Sequence, residues 1–173
     1  MTDAAFSVHP TPIGEALIVV TDVGLASLQL LDGDPAAALT DVGLALRTAP
    51  VHDAGATASV SAELDAYFAG DLRDFDTAID WRLAGGGFGL AALQAIARIP
   101  FGEVRSYAEV AAEAGSDRAH RAVGSACART PISIIVPAHR VVRADGSLGE
   151  YGGHPERKRF LLELEGALAS VRV

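Results

Sequence analysis

With 173 residues, half of them hydrophobic, the chain can bury the core of one or two small domains, and its single cysteine, Cys127, excludes an internal disulfide and a multi-cysteine zinc site. No run of about 18 apolar residues occurs, which argues against a transmembrane helix, and the acidic opening Met1-Thr2-Asp3 lacks the basic and apolar regions of a signal peptide. The net charge of −8 argues against a nucleic-acid binder only while the chain is read as a whole.

Residues 1–84 hold three Lys/Arg against thirteen Asp/Glu, a net of −10. Residues 85–173 hold eleven against nine, a net of +2. Between Arg118 and Arg143 there are five arginines and no acid, a local field suited to a polyanion. A lone thiol and no targeting segment predict a reducing, cytoplasmic setting.

In chain order, Leu17–Val20 and Leu25–Leu30 read as strands around the turn signal Asp22-Val23-Gly24, which predicts a hairpin. Pro35–Leu46 and Ser59–Phe68 read as helices; in the second, Val60, Leu64, Tyr67 and Phe68 share one face. Asp76–Asp80 reads as a further short strand. Nothing in this half carries recognisable chemistry, so its expected role is structural. Leu83-Ala84-Gly85-Gly86-Gly87 is flexible and marks the change in composition, placing a boundary between an α/β domain, 1–84, and a mainly α domain, 85–173. No Gly-Lys-Ser/Thr follows those glycines, so they do not form a phosphate loop.

Phe88–Arg98 reads as a helix stopped by Pro100 and Gly102. Ser106-Tyr107-Ala108-Glu109 has the form of a capping box and opens a helix through Ala114. After Gly115-Ser116, a second helix is expected from about Asp117 to Arg129, giving a helix-turn-helix. At about 100° per residue, Arg118, Arg121, Ser125 and Arg129 fall in one narrow arc, with Ala119, Ala122, Val123 and Ala126 facing inward. The β-branched run Ile132–Val136 reads as a buried strand that delivers His139 and Arg140 straight after Pro137. A loop, Arg143–Gly153, leads to a last helix, Glu156 to about Leu168. The histidines His9, His52, His120, His139 and His154 lack ligand spacing, so no metal and no cofactor is expected.

Val136-Pro137-Ala138-His139-Arg140-Val141-Val142 resembles the Pro-Cys-His-Arg-Val active-site segment of the O6-alkylguanine-DNA alkyltransferases. Thr11-Pro12-Ile13-Gly14, Ala66–Gly70, Ile99-Pro100-Phe101-Gly102, Ser106-Tyr107, Arg121-Ala122-Val123-Gly124 and Tyr151-Gly152-Gly153 resemble further landmarks of that family in the same order. The resemblance implies a ribonuclease H-like N-terminal domain and a winged-helix-like, helix-turn-helix C-terminal domain. It implies binding of duplex DNA containing O6-alkylguanine through the minor groove, by a monomer that could hand the lesion to other repair proteins.

The resemblance also assigns roles. Arg121 matches the finger that replaces the extruded nucleotide, and Tyr107 the tyrosine that crowds the target's 3′ phosphate. Arg118, Ser125 and Arg129, which share the helical arc of Arg121, are expected to join them as DNA contacts. His139 and Glu165 match the base and orienting acid of a Cys-water-His-Glu relay. Tyr151 matches a phenol that donates to the purine as the alkyl group leaves, while Arg140 is expected to tie its segment to neighbouring elements. Val136, Pro137, Cys127, Leu148, Gly149 and Glu150 are expected around the lesion pocket.

The position matching the acceptor cysteine holds Ala138, and a methyl side chain is no nucleophile. The family's Phe-Gln-x-x-Val-Trp stretch stands as Phe88-Gly89-Leu90-Ala91-Ala92-Leu93, and its bracing Asn as Thr130. These departures favour the alkyltransferase-like branch, which recognises without transfer. A single-turnover methyltransferase whose cysteine was changed to Ala138 is the alternative. Cys127 has no base in the sequence and reads as a small apolar filler. A transcription regulator is a further reading, disfavoured because the second helix offers no Asn or Gln for base edges.

Overall fold

A continuous apolar run sets up the first sheet. In β2 (Gly14–Thr21), Ala16, Leu17, Ile18 and Val19 are all fully buried, so both faces of the strand are covered. β2 pairs antiparallel with β1 (Ala4–Thr11) on one side and with β3 (Leu25–Leu30) on the other. Helix α1 (Ala36–Leu46) follows, then the two-residue β4 (Val51–His52), which lies parallel to β1 and completes the order β3-β2-β1-β4. Leu17 and Val19 point to the face covered by Val42 of α1, where Phe6, Val8, Leu39 and Leu46 pack around them. Helix α2 (Ala58–Phe68) buries Val60, Leu64 and Tyr67. This computed structural model describes residues 4–172.

The predicted hairpin is the β2–β3 pair. Its turn needs Gly24, because a Cβ there would stand 2.3 Å from the Ala78 carbonyl oxygen. The predicted strand at Asp76–Asp80 reduces to a single bridge, Ile79 to Leu25. The strand β1 was missed, since its apolar residues are interrupted by Ser7, His9 and Pro10.

The chain forms two compact units: one runs to Leu83 and includes Pro131–Ser133, and the other comprises Ala84–Thr130 and the residues from Ile134 onward. In the first, Leu28 of β3 donates to Pro131 and accepts from Ser133, so this short segment extends the sheet edge. The second unit opens with α3 (Gly87–Ala97), which buries Ala92, Leu93, Ala95 and Ile96. A two-residue strand β5 (Arg105–Ser106) leads into α4 (Tyr107–Glu113). Ser106 and Glu109 close the predicted capping box, with Glu109 N–H donating to Ser106 Oγ at 3.1 Å and Ser106 N–H to Glu109 Oε2 at 2.6 Å. Then come α5 (His120–Ala128), β6 (Val141–Val142), parallel to β5, and α6 (Pro155–Leu164).

Three expectations need correction. The second helix begins at His120, not near Asp117, because Ser116 closes a turn onto the Ala119 N–H first. Arg118 therefore precedes the helix and leaves the arc of Arg121, Ser125 and Arg129; Ala122 is exposed, not inward-facing. The run Ile132–Val136 is not a strand: Ile132 makes one bridge, to Leu28, and the next residues turn. Ile134 is the cause, held at φ 68° with its side chain buried, a conformation incompatible with extended pairing. The glycine run is only partly a linker, since Gly87 is already the first residue of α3.

Candidate functional site

Two arrangements in the second unit carry chemistry. The first is a surface groove of about 830 Å³ between α4, α5 and the loop after β6. Tyr107 and Ala108 line it from α4; His120, Arg121, Gly124, Ser125 and Ala128 from α5; Arg143, Ala144 and Glu150 from the loop. The capping box fixes the start of α4 and with it the Tyr107 ring. Burial, with smaller effects from Cys127 and Glu150, pushes the Tyr107 phenol above its ordinary value, so it is neutral at physiological pH and does not repel a phosphate by charge. Arg121 and Arg143 supply cations to the same groove.

Of the expected DNA contacts, Tyr107, Arg121 and Ser125 come together on this groove. Arg129 is exposed at the end of α5, its Nε donating to the Ser125 carbonyl at 3.4 Å, and is not on the lining; nor is Arg118. His120 and Arg143 are on it and were not foreseen as contacts, although both lie in the acid-free stretch.

The second arrangement is buried. A short 3₁₀ turn, Ala138–Arg140, presents His139 and Arg140 to Glu165, the residue that ends α6. His139 Nε2 lies 2.9 Å from Glu165 Oε1. Arg140 grips the same carboxylate from both sides, Nε to Oε2 at 2.9 Å and Nη2 to Oε1 at 2.8 Å. Its remaining arm, Nη1, donates to the Ile99 carbonyl at 2.5 Å, and Phe101 sits 5.9 Å beneath the guanidinium. Gly102 N–H reaches Glu165 Oε2 at 3.5 Å. The Ile99-Pro100-Phe101-Gly102 motif is thus a bracket for the ion pair.

Burial alone would raise the Glu165 carboxyl, but hydrogen bonds from His139 and Arg140 outweigh it and bring it to about 2. Burial holds His139 below its ordinary value despite Glu165, so the ring is neutral at physiological pH. A carboxylate accepts only, so the proton of a neutral ring sits on Nε2. Nδ1 then carries a lone pair, is buried, and has no hydrogen-bond partner among the described residues. That is the electronic arrangement of an oriented base.

The other expected site residues divide by location. Ala138, Val136 and Pro137 are buried beside His139 in sequence and off the groove lining. Tyr151 has a buried hydroxyl without a partner among the described residues, and burial raises its phenol strongly. Glu150 is on the groove, whereas Leu148 packs against the core of Val142, Leu162, Ala167 and Val171. Gly149 lies between the Tyr107 hydroxyl and the Lys158 ammonium; a Cβ there would be 3.2 Å from one and 3.5 Å from the other. Cys127 is largely enclosed, its thiol pushed up to about 11 by burial and only partly eased by Lys158. Among the described residues no three His, Cys, Asp or Glu side chains converge as metal ligands, and no helix is long and apolar enough to cross a membrane.

Lys158 itself was missed. In the run Glu156-Arg157-Lys158-Arg159 it reads as one more solvated charge, yet its side chain is fully buried.

The family model described as the DNA-binding domain of 6-O-methylguanine DNA methyltransferase matches residues 87–167. The methylated-DNA–protein-cysteine methyltransferase of Mycobacterium leprae is 43% identical over 157 residues, covering 90% of this chain and 88% of that protein. Its counterpart from Methanosarcina acetivorans is 37% identical over 164 residues, covering 94% and 98%. Among solved structures, Mycobacterium tuberculosis OGT in complex with DNA superposes with a TM-score of 0.81 at 38% identity, covering 98% of this chain and 96% of that one. Fold, site and relatives together define a DNA-binding protein of DNA repair. The chain belongs to the methylated-DNA–protein-cysteine methyltransferase family.

Proposed function

We propose that this protein recognises O6-alkylguanine in duplex DNA and holds it without accepting the alkyl group, as a member of the alkyltransferase-like branch. One observation carries the reading: His139, a base oriented by Glu165, stands next in sequence to Ala138, which occupies the position of the family's acceptor cysteine. Thiolate attack requires a sulfur with a lowered pKa or an adjacent base. Ala138 has no sulfur, and the only thiol in the chain, Cys127, is shifted the wrong way.

The duplex lies along the groove with its minor groove on α5. Arg121 enters the stack in place of the target nucleotide, and Tyr107 presses on the neighbouring phosphate to rotate the base outward. Extrusion costs a few kcal/mol, roughly, and least for a lesion that pairs badly, which gives the preference for alkylated guanine. The base is received beside Glu150, Tyr151 and Ala138, where the free phenol of Tyr151 can donate to the purine. The smaller Ala138 leaves room for a bulkier O6 substituent. The protein works as a monomer in the cytoplasm, and its complex is the signal for a further repair protein.

The test is a titration of the unaltered chain with duplexes that differ only in O6-methylguanine against guanine, followed by mass spectrometry of the protein. Preferential binding with no added methyl mass is expected. Equal affinities would overturn lesion recognition. A methylated polypeptide would restore the reading that its relatives' name carries, stoichiometric transfer.

A further inference from the structure

The second unit contains a charge that neither the groove nor the His139 relay uses. Lys158, on α6, is completely enclosed, and its ammonium donates to two backbone carbonyls, Val141 at 2.6 Å and Glu150 at 3.4 Å. No carboxylate pairs with it among the described residues. A buried cation held only by carbonyls is costly and weak evidence for stability. The two carbonyls it joins have functional addresses. Val141 follows directly on the Ala138–Arg140 turn, and Glu150 lies on the groove wall. Between them Gly149, at φ 78°, carries the backbone past the Tyr107 hydroxyl, which a Cβ there would crowd at 3.2 Å, and alongside the Lys158 ammonium.

We propose that Lys158 is a positioning residue for lesion recognition: by tying the Glu150 carbonyl to the Val141 carbonyl, its ammonium holds the Gly149–Tyr151 wall against Tyr107 before DNA arrives. The proposal rests on the recognition reading above and adds a residue to it. A wall set in advance lowers the ordering cost of binding, and that saving falls on the flipped base, not on the duplex backbone.

Other titratable and charged groups face the ammonium from each neighbouring element: Cys127 on α5, Tyr107 on α4, His139 in the 3₁₀ turn, and Arg143 and Glu150 in the loop. Burial dominates among them and brings Lys158 down to about 8 from its ordinary 10.5. The sign is then fixed. Between these values the unfolded chain holds the proton that the folded chain has released, so Lys158 contributes stability that increases as pH rises through this window. Loss of the charge also weakens both carbonyl bonds, so positioning worsens over the same range. A merely structural lysine would not move lesion preference and stability in opposite directions.

The experiment compares the parent with Lys158→Met, which keeps the length and apolar stem, and with Lys158→Gln, which keeps a neutral donor. Amide exchange over residues 147–153 is expected to quicken in Lys158→Met while α3 and α5 stay unchanged. The ratio of affinities for O6-methylguanine and undamaged duplex should drop roughly tenfold, the loss of one charge-assisted hydrogen bond, with Lys158→Gln between the two. In the parent the ratio should fall between pH 7 and 9, and in Lys158→Met it should be flat. Unchanged exchange in the wall, or a pH-independent ratio in the parent, overturns the proposal, and the parent profile applies even if both variants fail to fold. A parent with no lesion preference at any pH removes the recognition reading instead, and the exchange comparison then decides whether Lys158 holds the wall.

Discussion

His139 Nε2 stands 2.9 Å from Glu165 Oε1, both side chains out of contact with solvent, and Arg140 closes the other side of the same carboxylate. One carboxylate therefore serves two partners: it compensates a buried guanidinium and it fixes which imidazole nitrogen bears the proton. The first duty is structural and the second is chemical. Only the first remains in use if no thiol is activated.

Replacing Glu165 with Gln separates these duties. Breaking one side of a buried charged group leaves Arg140 uncompensated, and destabilisation by about 3 kcal/mol is expected at pH 7. The carboxyl is held near 2 in the fold, below its ordinary 4.5, so its contribution is complete above 4.5 and is lost as pH falls toward 2. The stability gap between parent and Glu165→Gln should accordingly narrow from pH 7 to pH 3 in urea titrations. A gap of constant size would mean that the ion pair does not stabilise the fold.

Arg121 and Arg118 give opposite expectations from similar charges. Arg121 lies on the groove, and Arg118 is exposed ahead of α5 and off it. Arg118→Ala should weaken damaged and undamaged duplexes alike and lower the salt slope by about one. Arg121→Ala should mainly erase the difference between the two duplexes, since a residue that fills the stack acts only when a base has left. Anisotropy titrations at three salt concentrations distinguish the two, and equal behaviour would remove the finger role from Arg121.

What could be read from the residues was whatever local chemistry decides. The Ser106–Glu109 capping box, the α2 face and the β2–β3 hairpin depend on neighbours within a few positions, and the structure reproduces them. The run Ile132–Val136 misled because β-branched composition suits a strand, while tertiary packing twists Ile134 into a left-handed conformation. Arg118 misled because a turn at Ser116 delays the helix. Lys158 was invisible for a different reason: burial of a lysine is decided by segments outside its own helix, here the carbonyls of Val141 and Glu150, and no periodicity announces it. The His139–Glu165 pairing, 26 residues apart, was legible only through resemblance to a family.

Ile134 offers a test of stored strain. Its φ of 68° is a conformation that a β-branched residue adopts at a cost of about 1–3 kcal/mol. Ile132, equally enclosed, carries no such strain. Truncation to alanine removes comparable apolar contacts at both, about 2–5 kcal/mol, but at 134 it also removes the β-branch that aggravates the left-handed conformation, while the Cβ responsible for the rest of the strain stays. Ile134→Ala should thus destabilise by about 1 kcal/mol less than Ile132→Ala in paired denaturation curves. Equal losses would mean that the β-branch of Ile134 adds no strain to its backbone.

Ala138→Cys asks whether the rest of the relay is competent. The new thiol would sit next to a neutral, oriented His139 with a free Nδ1 lone pair, so stoichiometric uptake of a methyl group from O6-methylguanine duplex is expected at position 138. Cys127 should remain unmodified in the same sample: with its thiol at about 11, only about one molecule in ten thousand is thiolate at pH 7. Peptide mapping after incubation locates the methyl. Transfer to 138 alone would show that the relay survives and that sulfur is the sole missing part. No transfer, with lesion binding retained, would show that the changes at Thr130 and Phe88–Leu93 have also altered the site, and that recognition no longer depends on a working relay.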